Sequence, residues 1–151
     1  MVRLSVAWIL GCLLLLPATQ ALAQSRSAAQ DSVVVYKSKS CGCCNDWVLH
    51  LRSNGFRVQA HDVNDVPGQR AKLGVPQNLG SCHTATVGGY AIEGHVPAAD
   101  IRRLLRERPR ARGLAVPGMP MGSPGMEGPR KDPYETLLFQ SDGGYVVFER
   151  H

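Results

Sequence analysis

The sequence predicts an α/β domain in which a β-α-β unit is followed by a β-β-α unit. Three observations support this prediction. An apolar run rich in β-branched residues, at residues 33–38, directly precedes a helical pattern of apolar residues. After that helix, an Asn-Gly stop is followed by a second strand pattern at residues 56–63. Two further apolar runs are separated only by Gly88-Gly89, which is typical of a β-hairpin.

The β-α-β unit opens the domain. We expect a buried first strand at residues 33–38 and a helix from about Cys43 to Arg52 that ends at Asn54 and Gly55. The second strand follows at once, and such tight connections give a right-handed unit with two parallel strands. The turn after the first strand then lies at the carboxyl end of that strand, where open α/β sheets carry their functional sites.

The β-β-α unit begins after a short polar or helical connection at residues 64–73. Its strands cover residues 84–87 and 90–92, and its helix begins at Pro97 and ends near Arg108. This order of elements is that of a thioredoxin-like fold. Apolar residues at helical spacing predict the buried face of the helix, which consists of Ile101, Leu104 and Leu105.

Two segments follow this core. Residues 109–133 are rich in Gly, Pro and Met, and so long a loop in a compact domain is usually functional or disordered. The chain ends in two strand patterns, at residues 136–140 and 145–149, which are joined by a turn containing two glycines. We expect this C-terminal hairpin to extend the sheet or to fold back over the loop.

The first residues of the chain have the features of a cleaved secretory signal peptide. Arg3 supplies a positive charge, an apolar stretch ends at Leu16, and small residues on both sides of Leu22 mark a cleavage site. The apolar stretch is too short for a membrane helix, which needs about 20 residues. We therefore expect a signal peptide at residues 1–23, a flexible leader at residues 24–32 and one exported domain at residues 33–151.

The net charge of +5 at pH 7 is mild, but arginines are concentrated in and just after the helix predicted at residues 97–108. A basic cluster can indicate nucleic acid, yet export argues against such a partner. A solvated helix face is the simpler interpretation, and an acidic partner or a membrane surface is the alternative. The arginines concerned are Arg102, Arg103, Arg106, Arg108, Arg110 and Arg112.

Three cysteines, Cys41, Cys43 and Cys44, occupy the turn between the first strand and the first helix. The free N–H groups and the dipole of a helix start favour negative charge, so thiols there should be more acidic than an isolated cysteine. Cys41 and Cys44 form a C-x-x-C pair, which is the reasonable place for one disulfide in an exported protein. Cys43 is superfluous for disulfide exchange, whereas a soft metal would use it.

A fourth cysteine, Cys82, lies in the loop before the third strand, and in a thioredoxin-like fold that loop faces the C-x-x-C turn. Thiol oxidoreductases of this fold have a proline there, but this chain has Ser81-Cys82-His83. Four convergent sulfurs favour Cu(I), zinc or an iron–sulfur cluster. The C-x-C-C spacing is cramped for zinc and for iron–sulfur clusters, whereas closely spaced thiolates suit Cu(I), singly or as a cluster.

Methionines add candidate ligands. Met119, Met121 and Met126 lie in the Gly/Pro-rich segment, where packing in a core explains them less well than it would on a helix. A thioether is a good ligand for copper and a poor one for zinc. Two interpretations of these methionines are equally good: they bind or relay copper, or they cover the site as ordinary apolar side chains.

The histidines are weaker candidates. His83 follows the fourth cysteine directly and is a candidate metal ligand or hydrogen-bond donor, while His95 is a less favoured one. His50 and His61 fit surface or structural roles. Trp47 lies one helical turn after the cysteines, and we expect it in the core, where it would shield the thiols from water.

Several stretches of the chain resemble one known family. They are V-x-V-Y-K-S-x-S-C-G-C-C-x-x-W, G-V-P-x-x-L-x-S-C-H-T-A, G-H-V-P-A-x-D-I-x-R-L-L and V-P-G-M-P-x-G-S-P-G-M-E. In these stretches the sequence is similar to the CopG-type copper-resistance proteins, a periplasmic family with a thioredoxin-like fold. The resemblance covers residues 33–149. It implies copper held by the four cysteines, admits a multinuclear cluster, and implies a redox role between Cu(I) and Cu(II) in copper detoxification.

The leading hypothesis is a periplasmic protein of copper resistance that binds Cu(I) through its four cysteines, with Met119, Met121 and His83 as further ligands. Its partners would be copper ions and other periplasmic copper-handling proteins, without nucleic acid and without stable insertion in a membrane. The residues leave open whether it is also an enzyme, a copper oxidoreductase. Two alternatives remain, namely a thiol–disulfide oxidoreductase with Cys41 as nucleophile and Cys44 as resolving thiol, and a structural zinc-binding module.

Overall fold

The computed structural model describes residues 32–151, so the expected signal peptide and nearly all of the expected leader lie outside the described residues. Seven strands form one sheet. The strands are β1 (Ser32–Lys37), β2 (Arg57–Asp62), β3 (His83–Val87), β4 (Tyr90–Glu93), β5 (Gly113–Ala115), β6 (Glu135–Phe139) and β7 (Tyr145–Arg150). The helices are α1 (Gly42–Ser53), α2 (Val66–Lys72) and α3 (Ala98–Glu107), with a 3-10 turn at Gln77–Leu79.

The sheet has the strand order β2-β1-β3-β4-β5-β6-β7. Strand β1 pairs in parallel with β2 and antiparallel with β3, and β3 pairs antiparallel with β4. The predicted α/β class, the parallel β-α-β unit and the β3–β4 hairpin are therefore confirmed. The order and directions of the first four strands agree with the predicted thioredoxin-like core.

The core forms where the apolar pattern predicts it. In β1, Val33 and Val35 are completely buried, and α3 buries Ile101, Leu104 and Leu105. Helix α1 ends at Ser53 with Asn54 as its C-cap residue, and the following Gly55 has a φ of +82°, a left-handed conformation that glycine adopts without strain. The apolar pattern and the Asn54-Gly55 stop are thus signals that the fold uses, whereas Pro97, predicted as the first residue of the last helix, is the N-cap residue of α3.

The segment after α3 differs from the prediction of one long loop at residues 109–133. It contains the strand β5, which pairs in parallel with β4 and antiparallel with β6. A Cβ atom on Gly113 would collide with the carbonyl oxygen of Ala91, so only glycine allows β5 to approach β4 this closely. Through β5 the C-terminal hairpin of β6 and β7 extends the sheet, which was one of its two expected positions.

The arginine cluster is only partly a solvated face. Arg102 lies over the ring of Phe56, 4.7 Å from its centroid, and donates to the carbonyl oxygen of Asn54. Arg103 forms ion pairs with Glu107 and Glu149, both at 2.9 Å. Arginines that already bind carbonyl oxygens, carboxylates and aromatic rings of their own chain leave fewer charges for an external polyanion. Within residues 32–151, no helix combines the length and the apolar character that crossing a membrane requires.

Candidate metal centre

The register between β1 and β3 builds the site. Lys37, the last residue of β1, pairs with His83, the first residue of β3. The turn that leaves β1 therefore lies beside the loop that enters β3, and both loops carry cysteines. Cys41 is the N-cap residue of α1, and no acidic residue occupies the first turn of that helix. The partial positive charge of the helix start is thus directed at sulfur rather than at a carboxylate.

Two of the four cysteines are joined. Cys41 and Cys44 form a disulfide with their Cα atoms 5.3 Å apart, so the expectation of one C-x-x-C bridge with two thiols left over is confirmed. Cys44 is completely buried, whereas Cys41 is half-buried. Cys43 and Cys82 are free thiols, and both are half-buried. Bound metal could engage all four sulfurs as thiolates only after reduction of this disulfide.

The sulfur atoms converge on one point. The Sγ atom of Cys43 lies 3.5 Å from that of Cys41 and 3.8 Å from that of Cys82. All four Sγ atoms lie within 4.8 Å of one another. The structure thus brings Cys82 to the C-x-C-C turn from a distant part of the chain, as the thioredoxin-like topology predicts.

Two imidazoles border Cys82. Its Sγ atom lies 3.1 Å from Nε2 of His95 and 3.4 Å from Nδ1 of His83. His95 donates its Nδ1 proton to the carbonyl oxygen of Pro124 at 2.8 Å, so in the neutral ring Nε2 is left as an acceptor. His95, the less favoured candidate of the two, is thus the histidine with a fixed lone pair facing a cysteine.

His83 is fully buried between aromatic rings. Its ring centroid lies 4.3 Å from that of Trp47 and 5.0 Å from that of His95. Its Nε2 atom is buried and has no hydrogen-bond partner. Trp47 is completely buried as predicted, and its indole N–H donates to the carbonyl oxygen of Val96 at 2.9 Å. The nitrogen of His83 that faces Cys82 is Nδ1, and a fully buried imidazole beside a cysteine cluster fits a role for His83 close to a metal.

The remaining histidines have structural contacts. Nε2 of His50 accepts a hydrogen bond from the backbone N–H of Ala98 at the start of α3, at 3.1 Å. His61 is exposed on β2 and stacks on Tyr36, with ring centroids 5.7 Å apart. These contacts agree with the structural or surface roles expected for both residues.

Burial determines which side chains of the site carry a proton at neutral pH. It raises the pKa of the Cys82 thiol to about 12, and the nearby Cys43 acts in the same direction. It lowers the pKa of His83 to about 3, helped by His95, and also lowers the pKa of His95. At neutral pH the metal-free site therefore holds a protonated Cys82 and neutral imidazoles, and a cation that binds Cys82 must displace its proton.

The Gly/Pro/Met-rich segment lies across the start of α1. The backbone N–H of Gly118 donates to the carbonyl oxygen of Gly80 at 3.1 Å. A Cβ atom on Gly125 would lie only 2.7 Å from the backbone oxygen of Cys43, so this glycine lets the segment touch the cysteine turn. Met119 is 53% exposed, and the thioether of Met121 lies against Gly128 of the same segment. The structure thus puts the segment on the site, with Met119 at the surface.

A thiol cluster with two neighbouring imidazoles, at the end of a strand in an α/β sheet, defines a candidate soft-metal-binding protein. A family described as "Protein of unknown function, DUF411" matches residues 79–126. Two solved structures of the copper resistance protein CopG are also similar to this chain. The chain therefore belongs to the family of the copper resistance protein CopG.

The similarity to these structures extends over most of both chains. Form 2 and Form 1 of the copper resistance protein CopG are each 47% identical to this chain and cover 80% of it. This chain covers 97% and 96% of theirs, with TM-scores of 0.76 and 0.75. No curated protein matches the chain.

The buried histidines predict that acid destabilises the metal-free protein. The folded-state pKa of His83 is about 3 against an unfolded value of 6.5, so its stabilising contribution is fully present above pH 6.5 and is lost as the pH falls. At pH 5 the loss from His83 alone should be roughly 2 kcal/mol of unfolding free energy. The measurement is urea unfolding between pH 7 and pH 5.

The control is His83→Gln, which keeps a polar side chain of similar size but does not titrate in this range. The variant should be less stable at pH 7 and should show a shallower dependence of stability on pH. An unchanged slope in His83→Gln would contradict the assignment of that slope to His83.

Proposed function

We propose that this protein binds Cu(I) in copper resistance, through the thiolates of Cys41, Cys43, Cys44 and Cys82. The observation that carries the proposal is the convergence of four sulfur atoms from two distant segments, all within 4.8 Å of one another. Soft thiolate ligands select Cu(I), zinc or iron–sulfur clusters. Membership of the CopG family favours copper over the other soft metals.

The spacing of the sulfurs supports a shared metal. Two thiolates bound to one tetrahedral zinc ion, each at about 2.3 Å, lie ~3.8 Å apart, and this spacing suits a shared soft metal ion without choosing between zinc and copper. The Sγ atoms of Cys43 and Cys82 are separated by 3.8 Å in the metal-free protein, so this pair is already spaced for a common ion. Cys43 also neighbours Cys41 at 3.5 Å, and a thiolate with sulfur neighbours on two sides can bridge several copper ions in a cluster.

Histidine and methionine side chains are further candidate ligands beside the four cysteines. Nε2 of His95 and Nδ1 of His83 supply imidazole nitrogen beside Cys82. Met119 and Met121 supply thioethers, which bind Cu(I) without first losing a proton. Because Met119 is exposed, we assign the methionines to the transfer of copper between the surface and the cysteines rather than to holding it.

The disulfide gives the site a redox couple of its own. Reduced Cys41 and Cys44 can give one electron to each of two Cu(II) ions, which yields two Cu(I) ions, the disulfide and two protons. The forward step leaves Cys43 and Cys82 as the thiols that can hold the Cu(I) formed. The reverse step, in which two Cu(I) ions reduce the disulfide with uptake of two protons, returns the thiols of Cys41 and Cys44, and the two steps together make up the proposed cycling between Cu(I) and Cu(II). We place the reaction in the periplasm, after export through the signal peptide expected at residues 1–23, with copper ions and periplasmic copper-handling proteins as partners.

One observation favours a second candidate function. A half-buried Cys41 joined to a fully buried Cys44 at a helix start is the arrangement that a thiol–disulfide oxidoreductase needs, with an accessible nucleophile and a protected resolving thiol. Cys43 separates the two functions, because disulfide exchange does not require it and the copper site does.

The copper proposal predicts that metal loading depends on the state of the disulfide and on Cys82. Protein reduced and purified without oxygen should bind more Cu(I) per chain than protein with the Cys41–Cys44 disulfide intact, because reduction adds two thiolate ligands. Cys82→Ser should lower the stoichiometry or affinity of the reduced protein. The measurement is metal analysis of each sample after anaerobic dialysis against Cu(I).

Circular dichroism of Cys82→Ser controls for folding. Wild-type loading by a folded Cys82→Ser variant would contradict the four-sulfur site. Zinc in place of copper in protein purified from copper-supplemented cells would favour a structural zinc-binding module instead.

Cys43→Ser separates copper binding from disulfide exchange. This change should reduce Cu(I) binding clearly, because it removes the thiol that neighbours both Cys41 and Cys82. Reduction of insulin disulfides should be weak in the wild type. Strong insulin reduction that survives in Cys43→Ser, together with undiminished copper tolerance of cells carrying the variant, would favour the oxidoreductase.

The methionine assignment predicts a kinetic effect. Replacing Met119 and Met121 together by Leu keeps apolar bulk but removes both sulfurs, so copper should load more slowly while equilibrium binding at the cysteines changes little. Stopped-flow transfer of Cu(I) from a chromogenic chelator measures the rate. Met126→Leu, which changes the remaining methionine of the same segment, is measured beside it. Loading of the double variant at the wild-type rate would show that these methionines only pack over the site.

A further inference from the structure

A buried ion pair lies next to the cysteine cluster, and the proposed function does not use it. Arg70 of α2 and Glu93 at the end of β4 are joined by a contact of 2.7 Å between Nε and Oε1. The side chain of Glu93 is 0% exposed and that of Arg70 is 8% exposed. Both charges have therefore been removed from water, and their mutual attraction must offset the cost of that desolvation.

Both partners of the ion pair form hydrogen bonds with the backbone of Ser81, the residue that precedes Cys82. Oε1 of Glu93 accepts a hydrogen bond from the backbone N–H of Ser81 at 2.6 Å, while Nη2 of Arg70 donates to the backbone oxygen of Ser81. The donor and the acceptor of a single residue are thus bound by the two partners of one ion pair. A Cβ atom on Gly80 would lie 3.0 Å from Nη1 of Arg70, so a glycine next to Ser81 lets the guanidinium lie close to the backbone.

Stability alone does not explain this arrangement. Well-packed apolar residues often replace a buried ion pair with no loss of stability, or with a gain. What apolar residues cannot supply is a paired donor and acceptor fixed in direction, which holds one peptide segment in one position. The segment held here carries Cys82, whose Sγ atom must stay near both Cys43 and His95.

We propose that Arg70 and Glu93 are positioning residues, which act through Ser81 to hold the Cys82 thiol beside Cys43 and His95. The proposal rests on the proposed function only in taking Cys82 as a metal ligand. Its geometric part concerns the separation of 3.8 Å between the Cys43 and Cys82 sulfurs, which exists in the metal-free protein and can be tested there.

Two conservative variants disrupt the hydrogen bonds to Ser81 but keep both charges. Arg70→Lys retains a cation beside Glu93, but the ammonium group lacks the planar fork that reaches Glu93 and Ser81 together. Glu93→Asp retains the anion, but its shorter side chain does not reach the N–H of Ser81. Gly80→Ala is a third variant, which crowds the guanidinium without removing it, and its backbone φ of −63° and ψ of 146° suit alanine.

The first measurement needs no copper. In protein with the Cys41–Cys44 disulfide intact, Cys43 and Cys82 are the free thiols of the described chain. Phenylarsine oxide joins two close thiols by forming two arsenic–sulfur bonds and releasing its oxygen as water with the two thiol protons. Intact-mass analysis follows this bridging with time. A displacement of about 1 Å at Cys82 should slow bridging by on the order of tenfold or more.

The second measurement is the near-ultraviolet absorption of the copper–thiolate site in the reduced, Cu(I)-loaded protein. The variants should show a weaker or shifted band at equal copper. The matched control is Asp100→Asn, which removes a different buried carboxylate, bonded to Thr136 at 2.6 Å and to His151 at 3.0 Å. It should lower the melting temperature and leave both bridging and the copper band unchanged.

The outcomes separate this proposal from the proposed function. Slow bridging in the variants, with a wild type that binds no copper, would overturn the copper function and leave the positioning role standing. Bridging at the wild-type rate in folded Arg70→Lys and Glu93→Asp overturns the positioning role whatever the copper data show. Equal slowing in Asp100→Asn also overturns it, because general loosening would then suffice. If the two charge-preserving variants do not fold, the bridging rate of Gly80→Ala tests the positioning role by the same criteria.

Discussion

The pairing of Lys37 with His83 between β1 and β3 is the constraint on which the site depends. Side chains alternate along a strand, so a shift of this register by one residue would turn every side chain of β3 to the opposite face. The buried positions Val33 and Val35 on β1, with Ala85 and Val87 on β3, lock the register through the core. The packing that stabilises the sheet therefore also sets how far Cys82 lies from the cysteine turn.

The site combines two kinds of sulfur chemistry in one volume. A disulfide between Cys41 and Cys44 and a set of four thiolates use the same atoms, so the two states exclude each other. In the absence of metal, burial shields the Cys44 sulfur from solvent and favours the protonated form of Cys82. A cation reverses this preference at Cys82, since it stabilises the thiolate that burial disfavours.

The sequence predicts the parts of the fold that have local signals. Apolar alternation, the Asn54 and Gly55 stop and the Gly88-Gly89 turn lead to the first four strands and to α1, and four cysteines lead to one site. The strand β5 escapes prediction because three residues carry no periodicity, and its pairing depends on the close approach of Gly113 to β4. The importance of His95 is also hidden in the sequence, because a hydrogen bond to Pro124, distant along the chain, orients its ring. Likewise, no local pattern pairs Arg70 with Glu93.

Cys43 and Cys82 are separated by 39 positions along the chain, and this separation has a consequence for the unfolded protein. An ion bound to both residues would act as a crosslink that closes a large loop, and a covalent link of that span stabilises a fold by about 4 kcal/mol through lost chain entropy. The bound metal would therefore stabilise the fold, in addition to being the ion that the protein carries. Loss of the metal would remove this crosslink between α1 and β3. The metal-loaded and metal-free proteins would then differ in how readily proteases degrade them.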